Sequence, residues 1–181
     1  ETGDAVTIVI RPGYEWMGHE PGQYLRIGVV VDGVHHWRAY SLTSEPDRSD
    51  GCISITPKLV EEGTVTPYLV REAKPGALVR LGGTEGDFTL PEPLPERLLF
   101  ISAGSGITPI LSVLATTLEI ETESRFILFY GNRTAESTMF ATELDELESR
   151  YSDDLEIRFR LAAGRAVASE QLTSLSDVWP R

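Results

Sequence analysis

Near residue 95 the hydrophobic period of this chain changes, and that change constrains its fold more than any other feature. Before it, apolar residues come in short β-rich runs separated by turns. Ala5–Ile10, Tyr24–Val31, Val34–Leu42, Cys52–Pro57 and Ala77–Leu81 read as strands, with Pro21-Gly22 and the hairpin signal Asp32-Gly33 between them. A short helix carrying Pro67 is expected after Gly63. After residue 95 continuous apolar strands alternate with helical spacing. Leu98–Ser102 predicts a parallel strand buried on both faces, and Thr108–Leu118 a helix. Phe126–Tyr130, Met139–Leu147, Leu155–Leu161 and Ser169–Leu175 continue as strand, helix, strand and helix. Pro91, Pro93 and Pro95 make a stiff connector between the two patterns. The expected architecture is therefore two domains: an antiparallel β-barrel over 1–95 and an α/β parallel-sheet domain over 96–181.

Composition excludes several function classes. The net charge of −12, spread over both halves, disfavours nucleic-acid binding, which needs clustered Lys and Arg. A single cysteine, Cys52, cannot build a disulfide framework, a thiolate zinc site or an iron–sulfur cluster within this chain. His35 and His36 are adjacent on a strand and point to opposite faces, and His19 is distant, so no metal site is expected. No apolar run approaches the roughly 20 residues of a membrane span, and no signal peptide is evident. The expected location is the cytoplasm.

Four segments carry residues suited to nucleotide chemistry. Gly104-Ser105-Gly106-Ile107-Thr108-Pro109 lies between a buried strand and a helix, where glycines let a pyrophosphate approach a helix N-terminus. Its third fingerprint position is Pro109 rather than Gly, a poor match to a plain NAD-binding Rossmann turn. One strand later stand Asn132, Arg133 and Thr134, at the strand end that faces an adenosine ribose. An Arg there accommodates the 2′-phosphate of NADP. In the first half, strand alternation puts Arg38 and Tyr40 on one face and Ala39 and Ser41 on the other; a cation beside an aromatic can grip a phosphate and a flat ring. Gly63-Thr64-Val65-Thr66 opens the short helix and adds backbone donors and hydroxyls.

In this order the four segments resemble the ferredoxin–NADP reductase-like flavoproteins, which join an FAD-binding barrel to a NADP-binding α/β domain. Arg38, Tyr40 and Ser41 match the Arg-x-Tyr-Ser flavin motif, and Gly63, Val65, Thr66 and Leu69 match Gly-x-Val-Ser/Thr-x-x-Leu. The resemblance implies that Arg38 holds the FAD pyrophosphate, Tyr40 packs on the isoalloxazine and Ser41 lies near its reactive nitrogen. Gly104, Gly106 and Pro109 match the pyridine-nucleotide turn, with Thr108 where nicotinamide meets flavin. Pro21-Gly22-Gln23-Tyr24 and Gly86-Asp87-Phe88 resemble further barrel segments, and Tyr130–Thr134 resembles the branch whose reductases serve oxygenases and desaturases.

The family has a strand before the segment matching Glu1-Thr2. It also continues past Val178-Trp179 into a strand with a Cys-Gly-Pro motif and a last helix, so the chain is expected to be truncated at both ends. The implied function is an FAD-dependent oxidoreductase, with Ser41 and Thr108 as catalytic residues and NADPH as donor in preference to NADH. The implied acceptor is a ferredoxin-type iron–sulfur protein or a fused iron–sulfur domain outside this chain. A separate acidic ferredoxin would be repelled by the net charge, so a local basic patch or a tether is needed. The alternatives are a non-catalytic FAD-binding electron-transfer or regulatory subunit, and a nucleotide-binding domain without flavin.

Overall fold

The computed structural model describes residues 2–120 and 123–162. The first half builds five antiparallel strands: β1 (Ile8–Ile10), β2 (Tyr24–Val31), β3 (Val34–Ser41), β4 (Ile53–Ile55) and β5 (Arg80–Glu85). They form two sheets, β3-β2-β5 and β1-β4. The sheets join where the chain leaves β3: Leu42 bridges Ile55, and Thr43 N–H donates to the Ser54 carbonyl at 2.9 Å. The strands therefore run β5-β2-β3-β4-β1 around one core, in which Leu25, Ile27, Leu42 and Ile55 are wholly buried. Each such side chain contributes roughly 1.5–3 kcal/mol by leaving water.

Local chemistry explains most of this wall. Asp32 and Gly33 have φ of 51° and 76°, the paired left-handed conformation of a tight hairpin turn. Gly28 pairs with Trp37, whose indole lies where a Cβ at Gly28 would stand. Strand β5 is displaced from the expected Ala77–Leu81 to Arg80–Glu85. Gly82 and Gly83 erase the apolar alternation there, and pairing with β2 shifts register between Leu25 and Ile27. The expected short helix is α1 (Val65–Pro67), continued by a wider π-type turn over Tyr68–Glu72. It buries Val65 and Leu69 in the barrel core.

The second half contains β6 (Arg97–Ala103), α2 (Ile107–Glu119), β7 (Arg125–Asn132), α3 (Ala141–Arg150) and β8 (Leu155–Leu161). The sheet is parallel, in the order β6-β7-β8. Phe100, Phe126, Leu128, Tyr130 and Ile157 on one face pack with Ile110, Leu114 and Leu144 of the two helices. Strand Leu98–Ser102 is not buried on both faces along its whole length, contrary to expectation: Ile101, on the face away from the helices, is 61% exposed. Both right-handed crossovers advance in the same direction, which places α2 and α3 on the same side. On the opposite side Arg158 stacks over Phe129, 5.3 Å from the ring centre. Helix α3 starts two residues later than expected. Met139 and Phe140 are buried in the preceding loop, with Phe140 held at φ 58°. The helix expected over Ser169–Leu175 lies outside the described residues.

Candidate functional site

A cleft of about 530 Å³ joins the two halves, lined by β3, the loop after β4, the start of α1 and the start of α2. Volumes of roughly 300–1,000 Å³ are usual for cofactor sites. Arg38, Tyr40, Ser41, Gly63, Val65, Thr66 and Thr108 all line it. Ala39 lines it too, although alternation places Ala39 and Ser41 opposite Arg38 and Tyr40. The reason is that β3 is the outer strand of its three-stranded sheet, so its edge as well as its face borders the cavity.

Each side chain has a distinct setting. Arg38 is exposed at the cleft, and its Nη1 donates to the Trp37 carbonyl at 2.8 Å. The Tyr40 hydroxyl is buried without a hydrogen-bond partner among the described residues. Burial pushes its pKa up to about 12, against the opposing pull of the Arg38 charge, so the phenol stays protonated at neutral pH. Thr66 Oγ1 accepts from Val60 N–H at 3.1 Å and donates to the Val60 carbonyl at 3.4 Å, which folds the 60–66 loop onto itself. At the start of α2 the Thr108 hydroxyl donates to the Ser105 carbonyl at 3.0 Å, and Pro109 occupies the first turn, where no helical N–H is lost. Gly104 adopts φ 52°, and a Cβ at Gly106 would stand 3.3 Å from Ser102 Oγ.

The remaining expected residues lie outside this cleft. Asn132 ends β7 and Arg133 and Thr134 follow it, and because Ala103 pairs with Gly131, this strand end stands beside the Gly104–Gly106 turn. Tyr130 ties the two turns by donating to the Gly104 carbonyl at 3.0 Å. Asn132 is 5% exposed, and neither its Nδ2 nor its Oδ1 has a partner among the described residues. Arg133 is exposed. The Thr134 hydroxyl accepts from Ser137 N–H at 3.3 Å, so it is engaged within its own loop.

Lys58, Thr56 and Val60 also line the cleft but carried no sequence signal. Lys58 is a second cation there, 3.4 Å from Asp4. A contact between Pro21-Gly22 and Gly86-Asp87-Phe88 was likewise unmarked in the sequence. Gly22 sits at φ 93°, packed so closely on the Phe88 carbonyl that no Cβ fits. Among the described residues no group of three or more His, Cys, Asp or Glu is placed to hold a metal ion, and no helix is long and apolar enough to cross a membrane.

An orphaned buried phenol beside a guanidinium, in a cavity edged with hydroxyls and a helix N-terminus, fits a flat ring carrying phosphates. A second set of unpaired polar atoms stands at the carboxyl edge of a parallel sheet, where such sheets take nucleotides. This combination defines a two-domain, nucleotide-binding class. Comparison with known proteins agrees: the oxidoreductase FAD-binding domain model matches residues 10–90 and the oxidoreductase NAD-binding domain model residues 100–172. The chain belongs to the ferredoxin–NADP reductase-like oxidoreductases.

Among its relatives, an NADPH oxidoreductase of Mycobacterium tuberculosis is 40% identical over 169 residues, covering 91% of this chain and 44% of that protein. The ferredoxin reductase component of the Mycolicibacterium smegmatis 3-ketosteroid-9-alpha-monooxygenase is 32% identical over 164 residues, covering 87% and 46%. The chain thus spans about half the length of the curated relatives it matches. The ferredoxin reductase in carbazole 1,9a-dioxygenase superposes with a TM-score of 0.73 at 26% identity, over 89% of this chain and 46% of that one. The CS-b5R domains of human Ncb5or share the fold, with a TM-score of 0.82 at 21% identity, over 99% and 55%.

Proposed function

We propose that this protein is an NADPH-dependent flavoprotein reductase that holds FAD in the 530 Å³ cleft. It would deliver electrons to a ferredoxin-type iron–sulfur protein or fused domain serving an oxygenase or desaturase. One observation carries the reading: Arg38, Tyr40 and Ser41 from the barrel share a single cavity with Thr108 at the start of α2. Residues expected at the flavin and at the nicotinamide therefore meet in one place. When bound, FAD supplies acceptance of a hydride and release of electrons one at a time.

The chain's own residues do the binding and positioning. Arg38 neutralises the FAD diphosphate from the rim, and Lys58 adds positive potential. Tyr40 packs on the ring and, held as a neutral phenol, offers a hydrogen bond without adding charge. Gly63, Val65 and Thr66 keep the loop close and low against the cofactor. Ser41 and Thr108 border the path between donor and acceptor. Gly104, Gly106 and Pro109 shape the turn that receives the nicotinamide dinucleotide. Asn132, Arg133 and Thr134 form the pocket for its ribose phosphate, which favours NADPH over NADH.

The division into an FAD-binding unit over 1–95 and a NADP-binding unit over 96–181 is supported by the proline connector and the two hydrophobic clusters. With a single cysteine, the iron–sulfur centre belongs to a partner or domain outside these residues. Anaerobic addition of NADPH to the FAD-loaded protein tests the proposal by loss of the flavin's visible absorbance. Bound flavin with no such loss would favour the alternative of a non-catalytic FAD-binding protein.

A further inference from the structure

In the interior of helix α2 the buried residues Ser112 and Thr117 use their hydroxyls differently. Thr117 Oγ1 donates to the Val113 carbonyl at 2.7 Å, the usual return of a mid-helix hydroxyl to its own preceding turn. Ser112, wholly buried, instead donates across to the Ser44 carbonyl of the barrel half at 2.8 Å. The acceptor is itself fixed. Ser44 Oγ accepts from Ser54 N–H at 3.0 Å, its neighbour Thr43 donates from N–H to the Ser54 carbonyl, and His19 Nε2 lies 3.2 Å from the same Ser44 carbonyl. Ser44 follows Ser41 by three residues, and Ser112 follows Thr108 by one helical turn, about 6 Å along the axis. The two stretches that carry Ser41 and Thr108 to the cleft are thus joined a short distance from it.

We infer that Ser112 is a positioning residue, whose buried hydroxyl pins α2 to the segment leaving β3 and so sets where Thr108 stands in the cleft that Ser41 lines. Its importance for turnover rests on the functional reading above; the pin itself does not. Removing the hydroxyl leaves the Ser44 carbonyl with His19, so the barrel keeps its satisfied acceptor while the joint between the halves loosens. A displacement of about 1 Å between reacting groups is enough to slow a reaction many-fold.

Ser112→Ala in the full chain tests this in two arms. Without cofactor, amide hydrogen exchange at Thr43 and Ser54 should become about fivefold faster, as expected for loss of one net hydrogen bond, with the β2–β3 hairpin unchanged. In the FAD-loaded chain, anaerobic NADPH should bleach the flavin about tenfold more slowly, with unchanged affinities for FAD and NADPH. Ser112→Thr, which keeps the donor, should recover most of the rate. Unaltered exchange at Thr43 and Ser54 overturns the pin. Altered exchange with unaltered bleaching, or Ser112→Thr as slow as Ser112→Ala, overturns the positioning role. A wild-type chain that NADPH does not bleach refutes the functional reading instead, and the exchange arm then decides the pin alone.

Discussion

Replacing Arg38 with alanine removes the guanidinium that β3 brings to the cleft rim, and the structure allows the loss to be sized. Arg38 donates to the Trp37 carbonyl at 2.8 Å, so binding a diphosphate would exchange a neutral acceptor for a charged one. Hydrogen bonds to charged groups contribute about 1.5–3 kcal/mol and the surrendered one about 1 kcal/mol. The exposed setting and ordinary salt trim the difference further. A net loss of about 0.5–1.5 kcal/mol corresponds to FAD binding weakened roughly 2- to 10-fold. Lys58 offers only partial replacement, because Asp4 already engages it at 3.4 Å. Arg38→Lys should fall between, keeping the charge but not the planar fork. Titrating the chain into FAD and following the quenching of flavin fluorescence gives Kd for all three proteins, with circular dichroism as the check on folding. An Arg38→Ala protein that binds FAD as tightly as the wild type would remove Arg38 from the diphosphate site.

Arg133→Ala should weaken NADPH binding roughly 10-fold or more while leaving NADH unchanged, because only the former carries the phosphate that a charge-assisted bond would hold; equal losses in parallel titrations would refute that assignment. Gly22→Ala places a side chain at φ 93° and into the Phe88 carbonyl. It should destabilise the chain by about 2 kcal/mol or more in urea unfolding, whereas Gly13→Ala, with open space around it, serves as the neutral control; matching midpoints would contradict the contact. Burial lowers the pKa of His19 below its ordinary 6.5, against the Ser44 carbonyl and Asp47, which raise it. The unfolded chain then binds more protons, so His19 contributes stability above about pH 6.5 that is lost as pH falls through its lower folded value. His19→Gln should flatten stability against pH in that window, and an unchanged slope would show that other groups set it.

The parts of the fold legible in the sequence are those where local chemistry and periodicity agree. Asp32-Gly33 announces the β2–β3 hairpin because both residues tolerate positive φ, the apolar run from Phe126 announces a buried parallel strand, and the alternation from Leu155 announces a further strand. Strand β5 lies away from its expected place because Gly82 and Gly83 supply no side chain to alternate. Helix α3 starts late because Met139 and Phe140 are buried from a loop and mimic a helical stripe. At the site, side-chain identity locates the cleft, since Arg38, Tyr40 and Thr108 do converge on it. What the hydroxyls do depends on tertiary neighbours: Thr66 and Thr134 turn back into their own loops, and Ser112 in an apolar helix gives no hint that it reaches Ser44.

In the function proposed above, one cleft built from both halves of the chain holds a flavin that a nicotinamide can reduce. The most direct measurement is the visible spectrum of the chain after incubation with FAD and removal of the excess, recorded anaerobically before and after NADPH. Flavin absorbance should be retained, and NADPH should abolish it. A chain that emerges colourless, with no FAD retained, would contradict that function.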